Sequence, residues 1–383
     1  MRQQWMRFGS AFVREDEIWC VPRSVNRLFG ISMKDWSVRS ICDLKLTLGF
    51  RIDSVFLYQD DVWCVTATGS KVIEYNLLSR EIRHFDMGRD RRINREIFLY
   101  NGKIWMIPEG LPGEVICFDI EKRKFSVYGN WEKECLKKGI RGTAKVGCLA
   151  GNILSVPLLE ECKVIQYDLK EEIMRVRTLP GEAGLRCALQ ICGHNYALVD
   201  GVRMLFSWKE GTEEVRRYDC PYLCSTGYIM GIEFENGILL ADGERTDYFD
   251  ILSGKIETYD SSFPKDLKLD CGAQVQFLGG LKYGDKFFLL PLKANMLLIY
   301  DGRSRKWQGR ILKIPEDIFY EEYIGQRVEN GWQIYEDELL LKDYIKYIKN
   351  VWCEGAGSRG REQVGSGIYH QMKIIVEEQS YGR

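Results

Sequence analysis

The stretch NGKIWMIPEGLPGEVICFDIEKRKFSVY, residues 101–128, decides the fold. It opens on the tight-turn pair Asn101-Gly102, enters the apolar run I-W-M-I-P at Ile104, crosses a loop bearing Gly and Pro, and returns as V-I-C-F-D at Val115. A second turn leads to K-F-S-V-Y. Short runs rich in β-branched and aromatic residues, bounded by Gly, Pro, Asn and Asp, read as strands, and Asn-Gly between two of them reads as a hairpin. With the β-rich stretch before Asn101, the unit makes four antiparallel strands.

The same unit recurs along the chain. Apolar runs follow turn residues at Ile18 (I-W-C-V-P), Val62 (V-W-C-V), Ile104, Ile153 (I-L-S-V-P), Tyr196 (Y-A-L-V-D), Ile238 (I-L-L-A-D) and Phe287 (F-F-L-L-P), at intervals of 44, 42, 49, 43, 42 and 49 residues. A period of roughly 40 to 50 residues is that of a propeller blade. One four-stranded blade has two apolar faces and cannot bury them alone, whereas seven blades around an axis cover each face with a neighbour. The predicted fold is therefore all-β: a seven-bladed β-propeller of four-stranded antiparallel blades over residues 8–313. In it Trp19, Trp63 and Trp105 read as inter-blade packing. No spare strand is visible to seal the last blade to the first, so ring closure is expected from side-chain packing alone.

The frame of turn, G-K-I-W-x-I, loop, V-x-x-Y/F-D, turn and aromatic resembles the kelch repeat over about four-fifths of the chain. The family's paired glycines after the second strand are missing here, where Val-Pro or Ala-Asp usually stands. The resemblance implies the fold and carries no particular kelch protein's function, because propellers host many unrelated activities.

Residues 314–383 read as a short helical tail. Leu341, Tyr344, Ile345 and Ile348 fall at amphipathic-helix spacing within a helix near 336–350. A Gly-rich linker covers 354–367, and a second helix is expected over 368–378. Gly355, Gly357 and Gly360 match a dinucleotide-binding spacing but follow a helix at the chain end, outside the βαβ context that motif requires. The tail resembles that of bacterial propeller proteins linked with cell-surface polysaccharide production, which would imply a bacterial, carbohydrate-related setting.

A formal charge of −1, from 54 basic and 55 acidic residues, gives no global field toward nucleic acid or an anionic membrane. The opening MRQQWMRFGSAFVRED lacks a secretory pattern, and no stretch approaches a membrane span of about 20 apolar residues. Thirteen Cys is an odd number, and none of the eleven Asn begins an Asn-x-Ser/Thr acceptor. A cytoplasmic monomer is the expectation.

Antiparallel blades put the connections between strands 2 and 3, and those between blades, on one face. The long segments 86–95, 129–145, 219–228 and 260–273 all fall there, and long loops on a rigid scaffold are where binding residues concentrate. Within this face Arg51, Arg91, Arg92, Arg95, Lys145 and Arg186 are the candidate ligand-binding residues, a basic sector suited to a carboxylate or phosphate. Asp53, Glu96 and Glu233 fall in inner strands and are candidate channel acids. His84, His194 and His370 share no catalytic or metal-ligand spacing, and Cys220 with Cys224 is a lone thiol pair, so neither metal nor cofactor is expected. The functional expectation is a non-catalytic binding or scaffold propeller for a protein partner or acidic small molecule. The alternative is a carbohydrate-active isomerase or lyase on an acidic sugar; dedicated nucleic-acid binding is disfavoured.

Overall fold

Apolar runs such as I-W-C-V leave no polar residue to alternate with, so a strand built from one must be covered on both faces. A computed structural model shows how. It describes residues 5–46, 52–88, 93–128, 130–220, 227–241, 246–258, 263–268, 277–319 and 322. The chain forms seven sheets of four antiparallel strands, each from strands consecutive in sequence. Blade 1 spans 11–43, blade 2 52–86, blade 3 94–128, blade 4 148–178, blade 5 185–219, blade 6 230–258 and blade 7 277–310. Every second strand contains one of the seven runs read from the sequence. The helices expected in the tail lie outside the described residues.

Side chains along a strand alternate between its faces, and here the alternation distributes each second strand between two cores. Val62 and Cys64 join a cluster with Trp19 and Leu28 of blade 1, whereas Trp63 and Val65 join one with Ile104 and Phe118 of blade 3. Trp63 is 1% exposed and lies 5.9 Å from the Phe118 ring. Trp19 and Trp105 likewise face the next blade. Seven such clusters arise, one per blade interface, including one shared by blades 7 and 1.

The fourth strands are mostly exposed, as in I-R-H-F-D of blade 2, and the first strands of blades 4, 5, 6, 7, 1 and 2 contact one another in succession around the axis. Strands 1 and 2 of every blade are joined by a two-residue turn. In Asn101-Gly102 both residues have positive φ, 49° and 65°, the conformation that suits Asn-Gly in such hairpins. The turns between strands 3 and 4 repeat a second device. The Asp or Asn ending the third strand accepts backbone N–H groups of the turn: Asn76 from Leu78 and Ser79, Asp119 from Lys122, Asp250 from Ser253 and Asp301 from Ser304.

Ring closure differs from the expectation. Residues just before blade 1 lie along blade 7: the Met6 N–H donates to Leu312 O (2.9 Å), Phe8 N–H to Pro291 O (3.1 Å), and Trp5 bridges Lys313. Closure is thus a short backbone clasp as well as side-chain packing. Phe8, fully buried, sits in the core shared by blades 1 and 7. Too few residues pair for a strand pattern to show in the sequence.

Removing the Phe8 ring should cost about 3–5 kcal/mol in a urea titration, the range for an aromatic truncated in a core, while Leu78→Ala, at a side chain 81% exposed, should leave the midpoint unchanged.

Hydrogen bonds from turn N–H groups hold the Asp119, Asp250 and Asp301 carboxyls below their ordinary value of 3.8. A depressed folded-state pKa stabilises the protein above the unfolded value and is lost as pH falls through the folded one. A triple Asp119→Asn, Asp250→Asn, Asp301→Asn variant, which copies the arrangement at Asn76, should therefore lose less stability than the native chain between about pH 4 and pH 2.

Candidate functional site

The two faces of the ring are unequal. The face of two-residue turns offers little room for variation, whereas the opposite face carries the connections between blades, of which residues 44–46, 87–88, 93, 130–147, 179–184, 220, 227–229 and 263–268 are described. The segment read as a long loop from Gly129 to Lys145 contains a helix, α1 (Asn130–Lys137), followed by a two-residue ladder in which Gly142 and Thr143 pair with Leu111 and Gly110. Trp131 and Cys135, four residues apart on one side, are buried among residues of blades 3 and 4, with the Trp131 ring 5.2 Å from Tyr167. Lys133, Lys137, Lys138 and Arg141 remain exposed.

The segment then delivers Lys145 to blade 5. Its N–H donates to Pro157 O (2.9 Å), and the next residue, Val146, bridges Cys187 in parallel, with the Ala188 N–H donating to Val146 O (2.8 Å). Lys145 and Arg186 therefore sit side by side where blades 4 and 5 meet. Gly184 permits this approach: a Cβ there would fall 1.4 Å from Leu159 O, so only glycine lets the chain pass. From Arg186 the wall descends into a channel cavity of about 310 Å³ lined by inner strands of blades 4 to 7, among them Cys148, Leu189, Ile232 and Phe277. Arg186, Gln190 and Glu233 supply its polar groups.

The charges at this rim are partly matched. Arg186, with 12% of its side chain exposed, forms an ion pair with Asp200 through Nε and Nη2. Lys145 acts on Glu160, whose carboxylate also accepts from the Thr143 hydroxyl (2.6 Å) and N–H (2.7 Å). Burial raises the Glu160 pKa, but the Thr143 bonds and the Lys145 charge outweigh it and hold the group below its ordinary value. Arg51, Arg91 and Arg92 lie outside the described residues, as does the side chain of Arg95, whose backbone is second in the inner strand of blade 3 (Asn94–Tyr100).

The three acids rise from different blades. Asp53 of blade 2 pairs with Arg23 of blade 1 (3.4 Å), Glu96 is half-buried in blade 3, and Glu233 is exposed in blade 6 on the cavity wall. His84 lies on the outer strand of blade 2 and His194 beside a two-residue turn of blade 5. Cys224 and His370 lie outside the described residues, and among those described no group of three His, Cys, Asp or Glu could hold a metal ion. Sequence reading missed Asp200 as the partner of Arg186. The only signal was its place in Y-A-L-V-D, where four of the other six blades carry Pro.

No family model and no curated protein matches the chain. Solved structures do. Virginiamycin B lyase from Staphylococcus aureus aligns with a TM-score of 0.57 at 11% identity, over 76% of this chain and 93% of the lyase. YCF48 from Cyanidioschyzon merolae gives 0.59 at 8% identity, over 76% and 95%. A chain of the mitotic checkpoint complex gives 0.56 at 10% identity, over 78% and 90%. At such identities the likeness establishes the propeller fold alone.

Truncating Asp200 to Ala should destabilise the protein by about 1–3 kcal/mol, since Arg186 would be left largely buried without that carboxylate. In a double-mutant cycle, Arg186→Ala combined with Asp200→Ala should cost less than the sum of the single changes; strict additivity in urea titrations would refute the coupling.

Proposed function

We propose that the chain is a binding propeller that takes an acidic ligand, free or carried on a protein partner, on its long-connection face at the channel mouth. The observation that carries this reading is the Val146–Cys187 bridge, which sets Lys145 beside Arg186 at the rim of the cavity. Arg51, Arg91, Arg92 and Arg95 belong to the same proposed basic sector. Guanidinium and ammonium groups bind carboxylates and phosphates through charge-assisted hydrogen bonds. The checkpoint-complex neighbour is a propeller that works in a protein assembly, and the fold suits such a role. The reading includes a kelch-like repeat and a cytosolic setting, the latter supported by the ten free thiols among the described residues.

A second reading, an isomerase or lyase on an acidic sugar, has one observation in its favour: Glu233 and Arg186 line one cavity. The lyase neighbour is also known as a catalytically inactive histidine-to-alanine variant with quinupristin. Neither His84 nor His194 is among the cavity-lining residues, and among the described lining residues the carboxylate on which such chemistry would rest is Glu233.

Anisotropy of a fluorescent glutamate-rich decapeptide, titrated at two salt concentrations, tests the first reading. An Arg91→Ala, Arg92→Ala, Arg95→Ala, Lys145→Ala variant should bind more weakly and with a shallower salt dependence. A control, Arg216→Ala with Arg217→Ala on the outer strand of blade 5, should bind as the native chain does. Equal affinity of all three proteins at both salt concentrations would overturn the proposal.

A further inference from the structure

Away from that rim, on the side of the short turns, blades 1 and 2 enclose a cleft of about 280 Å³. Its lining includes Arg14 at the end of the inner strand of blade 1, Arg39 on the outer strand of blade 1, and Arg80 in the turn between strands 3 and 4 of blade 2. Its floor is aromatic. Trp19 and Tyr75 are 3% and 6% exposed, and the Arg14 and Arg39 guanidiniums lie 5.3 and 5.8 Å from the centre of the Trp19 ring.

The charges in this cleft are unbalanced. Arg39 is held by Glu17 through Nε (2.7 Å) and Nη2 (2.6 Å), and Glu17 also accepts from the Trp19 indole N–H (3.0 Å). Glu15, in the adjoining turn, adds a more distant negative charge to Arg39. Glu17 also lies near enough to act on Arg14, but among the described residues neither Arg14 nor Arg80 has a carboxylate within ion-pair distance, and the Arg39 Nη1 group makes no ion pair, so three guanidiniums face two carboxylates. All three line the same cleft as Tyr75, and each is near enough to act electrostatically on its hydroxyl. Burial nevertheless raises the Tyr75 pKa, so the phenol keeps its proton and can donate it in a hydrogen bond. Three like charges around one cleft repel one another, and an anion between them relieves that repulsion.

We propose that this cleft is a binding site for a phosphate monoester, with Arg14, Arg39 and Arg80 around the phosphoryl oxygens and the Tyr75 hydroxyl as a fourth donor. A carboxylate has two oxygens and is satisfied by one bidentate arginine, whereas a phosphoryl group presents three terminal oxygens and close to two negative charges at neutral pH. Donors arriving from three strands and turns match the second geometry. The aromatic floor and the flanking Leu77 and Ile41 give room for an apolar group attached through the ester oxygen.

The site shares no residue with the long-connection face, so it stands whether or not the proposed function does. Calorimetric titration of the full chain with phenyl phosphate and with benzoate, at constant ionic strength, tests it. The native protein should bind phenyl phosphate at least about tenfold more tightly than benzoate. Arg80→Asn should weaken phenyl phosphate binding by about tenfold or more. Asn keeps the turn, because Arg80 has φ +60° and Asn tolerates that conformation. Arg14→Gln should do the same, with an unchanged thermal midpoint in the absence of ligand confirming that the variant folds. No measurable binding, equal binding of benzoate, or native affinity in both variants would overturn the proposal.

Discussion

Everything in this structure depends on the need to cover two apolar faces on every blade. The second and third strands are buried on both sides, so no blade has a face it can leave in water. Hydrophobic burial is non-directional and scales with area. What directs it here is the strand alternation, which sends Ile18 and Cys20 toward blade 7 but Trp19 and Val21 toward blade 2. Six of the seven interfaces join blades adjacent in sequence and form with modest loop-closure cost. The seventh joins residues near 8 to residues near 312, and until it forms, two apolar faces stay open. The clasp of Met6 and Phe8 onto Leu312 and Pro291 adds directional hydrogen bonds at the one seam where chain connectivity supplies no help.

A ring held this way confines variation to its connections. The seven two-residue turns are tied to the register of their hairpins, and lengthening one would disturb the pairing of two strands. Connections between blades carry no such tie, which is why they can hold a helix, a short ladder and runs of charge. Ligand-sized spaces also arise at the seams. There, residues of separate sheets meet, Lys145 and Arg186 through the single Val146–Cys187 bridge between blades 4 and 5, and Arg14 and Arg80 across the cleft between blades 1 and 2 with no backbone ladder joining them.

Legibility of these features in the sequence follows the range of the interaction behind each one. Blade number, strand order and the packing role of the tryptophans rest on patterns within about 40 residues, and a period repeated seven times leaves them little freedom. Helix α1 was hidden because its apolar side consists of Trp131 and Cys135 alone, too few residues to display a helical period among lysines and glutamates. The clasp was hidden for a similar reason, since Met6 and Phe8 offer only two alternating positions. Arg186 could be placed in an inner strand from the repeat. Its partner Asp200 could not, because that contact crosses a hairpin with an irregular register between Leu185 and Cys187.

Charge illustrates the same limit more sharply. The near-zero total argues against long-range steering, but screening over about 8 Å at physiological ionic strength makes each cleft respond mainly to its own neighbours. Arg14, Arg39 and Arg80 are separated by 25 and 41 residues in sequence, and nothing local marks any of them as unusual. They become a site only because blades 1 and 2 must press their apolar faces together, bringing an inner strand, an outer strand and a turn to one place. The packing that stabilises the ring is therefore also what creates the concentration of positive charge, and no composition or motif reading could detect it before the seam itself was known.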